Sequence, residues 1–453
     1  MDAADLSDAT PSPADAFTFA PAAQHPPMDV AWEIADDEGF AHVVQSGIVT
    51  ASEALAHSVH VEVTGLTPDR WYFYRFRAGD ALSPAGRTRT APADGADNAR
   101  FSLAFAARQQ YEQGWYSAYR DMAERDLNLV VHLGDYIYEK SYGAQHVRSH
   151  GTGAPSLLFE YRDRYALYKS DPDLQLAHAR FPWLFTWDDH EVVDNYGAGA
   201  SPTDRNPEAF RKRRAAAYQA WYEHMPVPPL AAPKFDDLRI YGHHRFGNLL
   251  DLTLLDARQY RDPAPEAPQP ADPDRYSMLG REQEAWFDRT MQAGRANWSI
   301  IGQTTLLSAR DLELGPGTRY SDDGWDHYRS GRERLLESVR RAERSNPLVI
   351  GGDLHAFYAA DVKAADGALV ASEFVTGSIT SNPPAEAAFD AVMAENPHIK
   401  FGDARRHGYS LLHLAPDQAR VELIAADRKD PEAVAAKFQE FAVLDGMPGV
   451  NRV

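Results

Sequence analysis

Five short apolar runs in this 453-residue chain end on polar, chemically capable residues rather than on ordinary turns. Residues 127–133 run into Gly134-Asp135, 181–187 into Asp188-Asp189-His190, and 249–255 into Asp256-Ala257-Arg258. Residues 298–301 lead into Gly302-Gln303, and 348–350 into Gly351-Gly352-Asp353. The runs are interleaved with amphipathic stretches, such as the face shared by Trp115, Ala118, Tyr119 and Met122, and so predict buried strands alternating with helices. In such an α/β arrangement the carboxyl ends of the strands form the edge where ligands bind. Four of the five runs deliver Asp or His to that edge, so the chain must fold to gather strand ends around one polar centre.

The rest of the chain is organised around that block. Residues 1–26, rich in Ala, Pro, Asp and Ser, predict a disordered arm, because they offer little to bury. Period-two alternation follows at Val30, Trp32 and Ile34, at Val59, Val61 and Val63, and in the run 71–76 ahead of Gly79-Asp80. It predicts a small antiparallel β-sandwich domain over 27–98, a structural module with a linker at 91–97. Residues 99–453 form the second domain, with strand character returning at 409–414 and 419–426 and a C-terminal helix at 431–438.

Composition narrows the chemistry. The chain has no cysteine, which excludes disulfides, thiolate catalysis and cysteine-bound zinc. A formal net charge of -20 repels a nucleic-acid backbone, so duplex DNA or RNA is not an expected partner. No apolar run approaches the roughly 20 residues of a membrane-spanning helix, and the first residues lack the basic start and apolar core of a signal peptide.

Three motifs carry the candidate chemistry. In Gly134-Asp135-Tyr136-Ile137-Tyr138-Glu139 the glycine permits a sharp turn that lets Asp135 point inward, and Tyr138 can reach the same centre. Ionised tyrosine is a hard oxygen donor suited to a ferric ion, whereas carboxylates suit calcium, magnesium or manganese. In Trp187-Asp188-Asp189-His190-Glu191, followed by Asp194-Asn195, neighbouring carboxylates raise one another's pKa unless a cation offsets them. A helix N-terminus is the competing explanation for that acidic cluster. His190 beside it can protonate a leaving oxygen. Gly351-Gly352-Asp353-Leu354-His355-Ala356 supplies a mixed oxygen and nitrogen ligand pair.

The order GDYIYE, WDDHE and GGDLH resembles the alkaline phosphatase D (PhoD) family within the calcineurin-like metallophosphoesterases. The segments 255–261 (LDARQYR), 324–328 (GWDHY), 374–381 and 441–449 fit the same family, and the likeness spans residues 28–453. The resemblance implies a metallophosphoesterase β-sandwich flanked by helices as the catalytic domain, preceded by a fibronectin-like all-β domain. It implies a metal-dependent phosphoesterase that hydrolyses phosphodiesters, phosphomonoesters or both by metal-activated hydroxide. Asp135 would bridge metals, Tyr138 would bind iron, Asp189 and Asp353 would serve a second metal, and His355 would complete the shell. Asp188 and Asn195 are further ligand candidates, and His190 would contact phosphate or act as acid. Arg258 would orient the phosphate, unless it forms a structural salt bridge. The substrate would be a small phosphate ester, and the mature protein would be secreted or periplasmic.

One position departs from the family pattern. Where the family reads FASCQ, this chain reads Phe105-Ala106-Ala107-Arg108-Gln109, and a guanidinium cannot ligate a metal. The cofactor expectation is therefore a divalent metal, calcium foremost, with iron(III) the alternative. Arg108 is expected to clamp a phosphate oxygen, or to read a shifted substrate in a phospholipase D-like phosphodiesterase. A degenerate, phosphate- or phospholipid-binding centre and a surface pairing of Arg108 with Glu112 are the remaining readings.

Overall fold

The computed structural model describes residues 26–263, 276–344 and 346–453, so the expected arm, apart from residue 26, lies outside the described residues. The chain opens with β1 (Met28–Ala35), β2 (Val43–Ala51), β3 (Trp71–Ala78), β4 (Ala81–Leu82) and β5 (Gly86–Arg89). Next come β6 (Phe101–Ala106), α1 (Ser117–Ala123), β7 (Leu129–Leu133), α2 (Leu158–Lys169), α3 (Pro172–Arg180), β8 (Trp183–Thr186) and α4 (Pro207–His224). They are followed by β9 (Gly242–Phe246), β10 (Leu250–Leu254), α5 (Gly280–Ala293), β11 (Trp298–Gly302), α6 (Arg329–Arg341) and β12 (Pro347–Gly351). The chain ends with β13 (Phe357–Lys363), β14 (Leu369–Val375), α7 (Glu386–Glu395), β15 (Ile399–Asp403), β16 (His407–Leu414), β17 (Gln418–Ala426), β18 (Ala436–Leu444) and β19 (Met447–Arg452).

The first five strands make one antiparallel sheet, with β1 between β2 and β3. Among the described residues this single sheet stands where a two-layer sandwich was expected. Val59, Val61 and Val63 belong to no strand. His60 in that segment stacks on Tyr222 at 4.4 Å, and its Nδ1 lies 2.9 Å from the Val227 carbonyl oxygen. This stretch meets the larger domain through His60 instead of joining a strand ladder.

Two seven-stranded sheets build the larger domain, in the orders β15-β13-β14-β12-β11-β10-β9 and β19-β18-β17-β16-β6-β7-β8. Strands β10, β11, β12 and β14 run parallel, as do β6, β7 and β8. Strand alternation sorts the side chains between layers. Leu103, Phe105, Leu129, Val131 and Leu133 meet Leu252, Leu254, Ile300, Leu348 and Ile350 in a core between the sheets. Ala104, Ala106 and Val130 face the other way, onto Tyr119, Tyr161 and Tyr165 beneath α1 and α2. On the opposite flank Phe287, Met291, Leu335 and Val339 of α5 and α6 pack on Ile301 and Val349. Each Leu, Ile or Phe buried this way contributes about 1.5–3 kcal/mol. The mixed α/β sandwich with flanking helices is the expected class.

The C-terminal helix expected at 431–438 is corrected. Residues 431–435 are irregular, and β18 begins at Ala436, antiparallel to β17. Phe441 and Val443 enter the inter-sheet core. Strand pairing and burial override the local helical preference of that stretch.

The carboxyl ends of β6 and β7 meet those of β11 and β12. A Cβ built on Gly352 would lie 2.8 Å from Ala107 Cβ and 3.3 Å from the Leu133 carbonyl oxygen. Only a residue without a side chain allows that approach.

Candidate active site

Arg108 (φ 63°), Asp135 (54°), Asn195 (55°), Asp353 (65°) and His355 (52°) all occupy the left-handed region, and none is glycine. Such backbone costs about 1–3 kcal/mol per residue and persists only where the surroundings over-determine it. The Arg108 carbonyl accepts from Ser381 N (3.2 Å), Thr380 N (3.3 Å) and Ser381 Oγ (2.9 Å), and its own N–H donates to Gly134 O at 3.2 Å. Gly134 itself has φ 95°, and a Cβ there would lie 2.6 Å from Asp188 Cβ. The ends of β7 and β8 are then tied by one carboxylate. Glu191 accepts from the N–H groups of Asp135 (3.2 Å), Tyr136 (2.7 Å) and Asp188 (2.9 Å). Burial pushes its pKa up to about 7.

Asp135, Asp189 and His190, all buried, bring one ligand atom each within 4.8 Å of one another and could hold a metal ion. His190 Nε2 lies 3.8 Å from Asp135 Oδ2 and 4.0 Å from Asp189 Oδ2. His190 Nδ1 sits 2.7 Å from Glu139 Oε2, which fixes the ring with Nε2 toward the two aspartates. Burial opposes the imidazolium, but Asp189 and Glu139 outweigh it and push the His190 pKa up to about 9. Asp135 Oδ2 is buried and contacts Arg108 Nη1, and Asp135 Oδ1 accepts from the His190 N–H at 3.3 Å. Two carboxylates and an imidazole nitrogen make a donor set that fits a divalent ion. Asn195 contributes its backbone, whose N–H donates to Asp189 Oδ2 at 2.7 Å; its side chain is exposed.

Arg108 is 2% exposed, and its guanidinium points into the acidic centre, not outward to Glu112. Its Nη1 contacts Asp135 and lies 3.7 Å from Asp189 Oδ1. Its Nη2 donates to Asp188 and, at 2.8 Å, to Asp353 Oδ1. Both amino groups therefore meet carboxylates, where a phosphate clamp was expected. Glu112 instead accepts from the His150 N–H at 2.9 Å. Arg258 adopts the salt-bridge alternative: Nε donates to Asp188, and Nη1 and Nη2 hold Asp323 bidentately at 2.8 and 2.6 Å. Burial works against the Asp188 charge, yet Arg258 and Arg108 hold its pKa below the usual carboxylate range.

Tyr138, Asp353 and His355 close the other side. The Tyr138 ring stacks on His190 with centroids 4.3 Å apart, and its hydroxyl lies 2.7 Å from Ser381 Oγ and 3.4 Å from His355 Nε2. His355 Nδ1 is 2.6 Å from the Asn382 carbonyl, which it meets as a donor, leaving the Nε2 lone pair toward Tyr138. Burial and then the charge of Arg108 push the His355 pKa down to about 3, so the ring is neutral and able to ligate. Asp353 Oδ2 accepts from Thr305 Oγ1 at 2.7 Å. Burial raises its pKa although Arg108 opposes that.

Glu139, Glu191, Thr305, Asp323 and Ser381 were not among the residues expected at the site. Glu139 and Glu191 close the first two motifs, which is the one signal that could have found them. Tyr142 also reaches the rim, where its hydroxyl donates to Glu139 Oε1 at 2.9 Å.

Known proteins match both parts of this arrangement. A family model described as PhoD-like phosphatase matches residues 103–423, and one described as PhoD-like phosphatase, N-terminal domain, matches residues 9–92. Alkaline phosphatase D of Bacillus subtilis (strain 168) is 41% identical over 448 residues, covering 94% of this chain and 76% of the relative. A solved structure described as that of PhoD superposes with a TM-score of 0.90 at 38% identity, over 94% of this chain and 85% of that one. The chain belongs to the PhoD-like phosphatase family, and is thereby a phosphoric ester hydrolase of a divalent-metal-binding kind.

Proposed function

We propose that the chain hydrolyses small phosphodiesters and phosphomonoesters at this centre, with a divalent ion, calcium foremost, held by Asp135, Asp189 and His190. The observation that supports the reading is the buried group those three residues form at the ends of β7 and β8. When bound, the ion would polarise the phosphoryl oxygen, acidify an attacking water and offset charge as the ester bond breaks. Glu139 holds His190 with Nε2 toward Asp135 and Asp189, which supports a ligand's role for that histidine. Tyr138 and neutral His355 offer one oxygen and one nitrogen at the adjoining face, where iron(III) is the alternative ion. Asp353, held by Thr305, and Asp188, held by Arg258, shape the acidic wall. Arg258 is a positioning residue, acting through Asp188.

We take 99–453 as the catalytic domain and 27–98 as a structural module, since none of the centre's residues comes from the module. Among the described residues no helix is long and apolar enough to cross a membrane. Family resemblance supports a secreted or periplasmic location, which cell fractionation checks.

The deciding assay follows p-nitrophenol release from p-nitrophenyl phosphate and from its bis ester. Chelation is expected to abolish release, and added calcium to restore it. No turnover with any divalent ion or iron would overturn the proposal and leave a phosphate-binding protein. Choline or ethanolamine release from phospholipid, measured alongside, distinguishes a phospholipase D-like substrate range.

A further inference from the structure

We infer that Arg108 is a built-in cation: its guanidinium occupies the place of one metal ion, and the chain holds a single tightly bound ion beside it. The inference rests on the reading of the site as a metal centre and concerns how many ions that centre takes.

The contacts of the Arg108 guanidinium carry the argument. Asp188 Oδ1 accepts from Arg258 Nε, and Asp188 Oδ2 from Arg108 Nη2. Asp353 Oδ1 accepts from Arg108 Nη2 and Asp353 Oδ2 from Thr305 Oγ1. Neither carboxylate has an oxygen left without a donor. The group that can take an ion beside them is Asp135, Asp189 and His190, and its Asp135 Oδ2 also contacts Arg108 Nη1. Asp135 therefore lies between a guanidinium on one side and the candidate ion on the other, as a bridging carboxylate lies between two ions.

Arg108 is suited to that place. The strained φ of 63°, fixed by Gly134, Thr380 and Ser381, sets the side chain inward from the end of β6. The guanidinium is always charged, cannot dissociate as an ion can, and offers planar donors to several carboxylates at once. Three aspartates from three different strand ends converge on it: Asp135 after β7, Asp188 after β8 and Asp353 after β12. One half of the centre thus carries a permanent charge that does not depend on metal supply.

The test counts metal on the full chain. Protein is stripped with chelator, reloaded with excess calcium or manganese, desalted and measured by plasma mass spectrometry, with circular dichroism recording the fold. Wild type is expected to retain about one ion per chain, Arg108→Lys about one, and Arg108→Ala about two, because the alanine frees Asp188 and Asp353. Two or more ions in wild type overturn the inference, as does a folded Arg108→Ala protein that still retains one. If Arg108→Ala does not fold, the wild-type count decides alone: one ion supports the inference and two overturn it. Turnover with two bound ions would sink this inference and leave the phosphoesterase reading intact. One bound ion without turnover would do the reverse, and no bound ion would overturn both.

Discussion

Three backbone N–H groups on two loops converge on the buried Glu191 carboxylate. Glu191→Gln keeps the volume and turns one acceptor into a donor, leaving a buried N–H unmet at a cost of about 1–3 kcal/mol. We expect a lower melting temperature and a fall in kcat of at least about tenfold as Asp135 and Asp188 lose their common anchor. An unchanged melting curve and rate would remove Glu191 from this role. His190 gives a pH signature in chelated protein. Its folded pKa of about 9 lies above the ordinary 6.5, so the stability it contributes is complete below pH 6.5 and is lost as pH rises through 9. Thermal melts of chelated wild type should fall across that window, and Glu139→Gln should shrink the fall. At this scale the candidate ligands are marked in the sequence and their supports are not. Asp135, Asp189, His190, Asp353 and His355 end apolar runs, which is visible in the chain. Thr305, Asp323 and Ser381 acquire their roles from loops far away in sequence, and nothing local marks them. The direction of Arg108 was equally hidden, because it follows from a positive φ and from three distant aspartates.

At the level of elements, the site depends on how closely strand ends approach. Gly134 combines a φ of 95° with a hypothetical Cβ 2.6 Å from Asp188 Cβ. Gly134→Ala adds strain at that φ, about 1–3 kcal/mol, and pushes the ends of β7 and β8 apart. Denaturant unfolding should show the lower stability, and metal affinity should fall with it. A variant as stable and as metal-retentive as wild type would contradict the close-approach argument. The buried strands β7, β8, β10, β11 and β12 were legible because apolar runs, aliphatic in most and aromatic in β8, lead into Gly or Asp. The alternation at Val59, Val61 and Val63 misled, since an extended segment packed on α4 shows the same pattern as a paired strand. The stretch 431–438 misled in the opposite sense, because pairing with β17 decides its conformation and no local signal reports that pairing.

Across the whole molecule, two sheets bring their parallel strands to a shared edge, and that juxtaposition turns scattered aspartates into one centre. The class of fold could be read from alternating strands and helices. The meeting of β6 and β7 with β11 and β12 could not, since it depends on contacts across the sandwich. On the proposed reading, this centre performs metal-dependent ester hydrolysis. The most direct measurement is the initial rate on bis(p-nitrophenyl) phosphate for wild type, chelated wild type reloaded with calcium, and folded Asp189→Asn. Metal stabilisation of the transition state is worth several kcal/mol, so losing it should slow the reaction about 1000-fold. We expect that loss on chelation, its recovery with calcium, and a comparable loss in Asp189→Asn that calcium does not recover. A rate within about tenfold of wild type, in either the chelated protein or the folded variant, would contradict it.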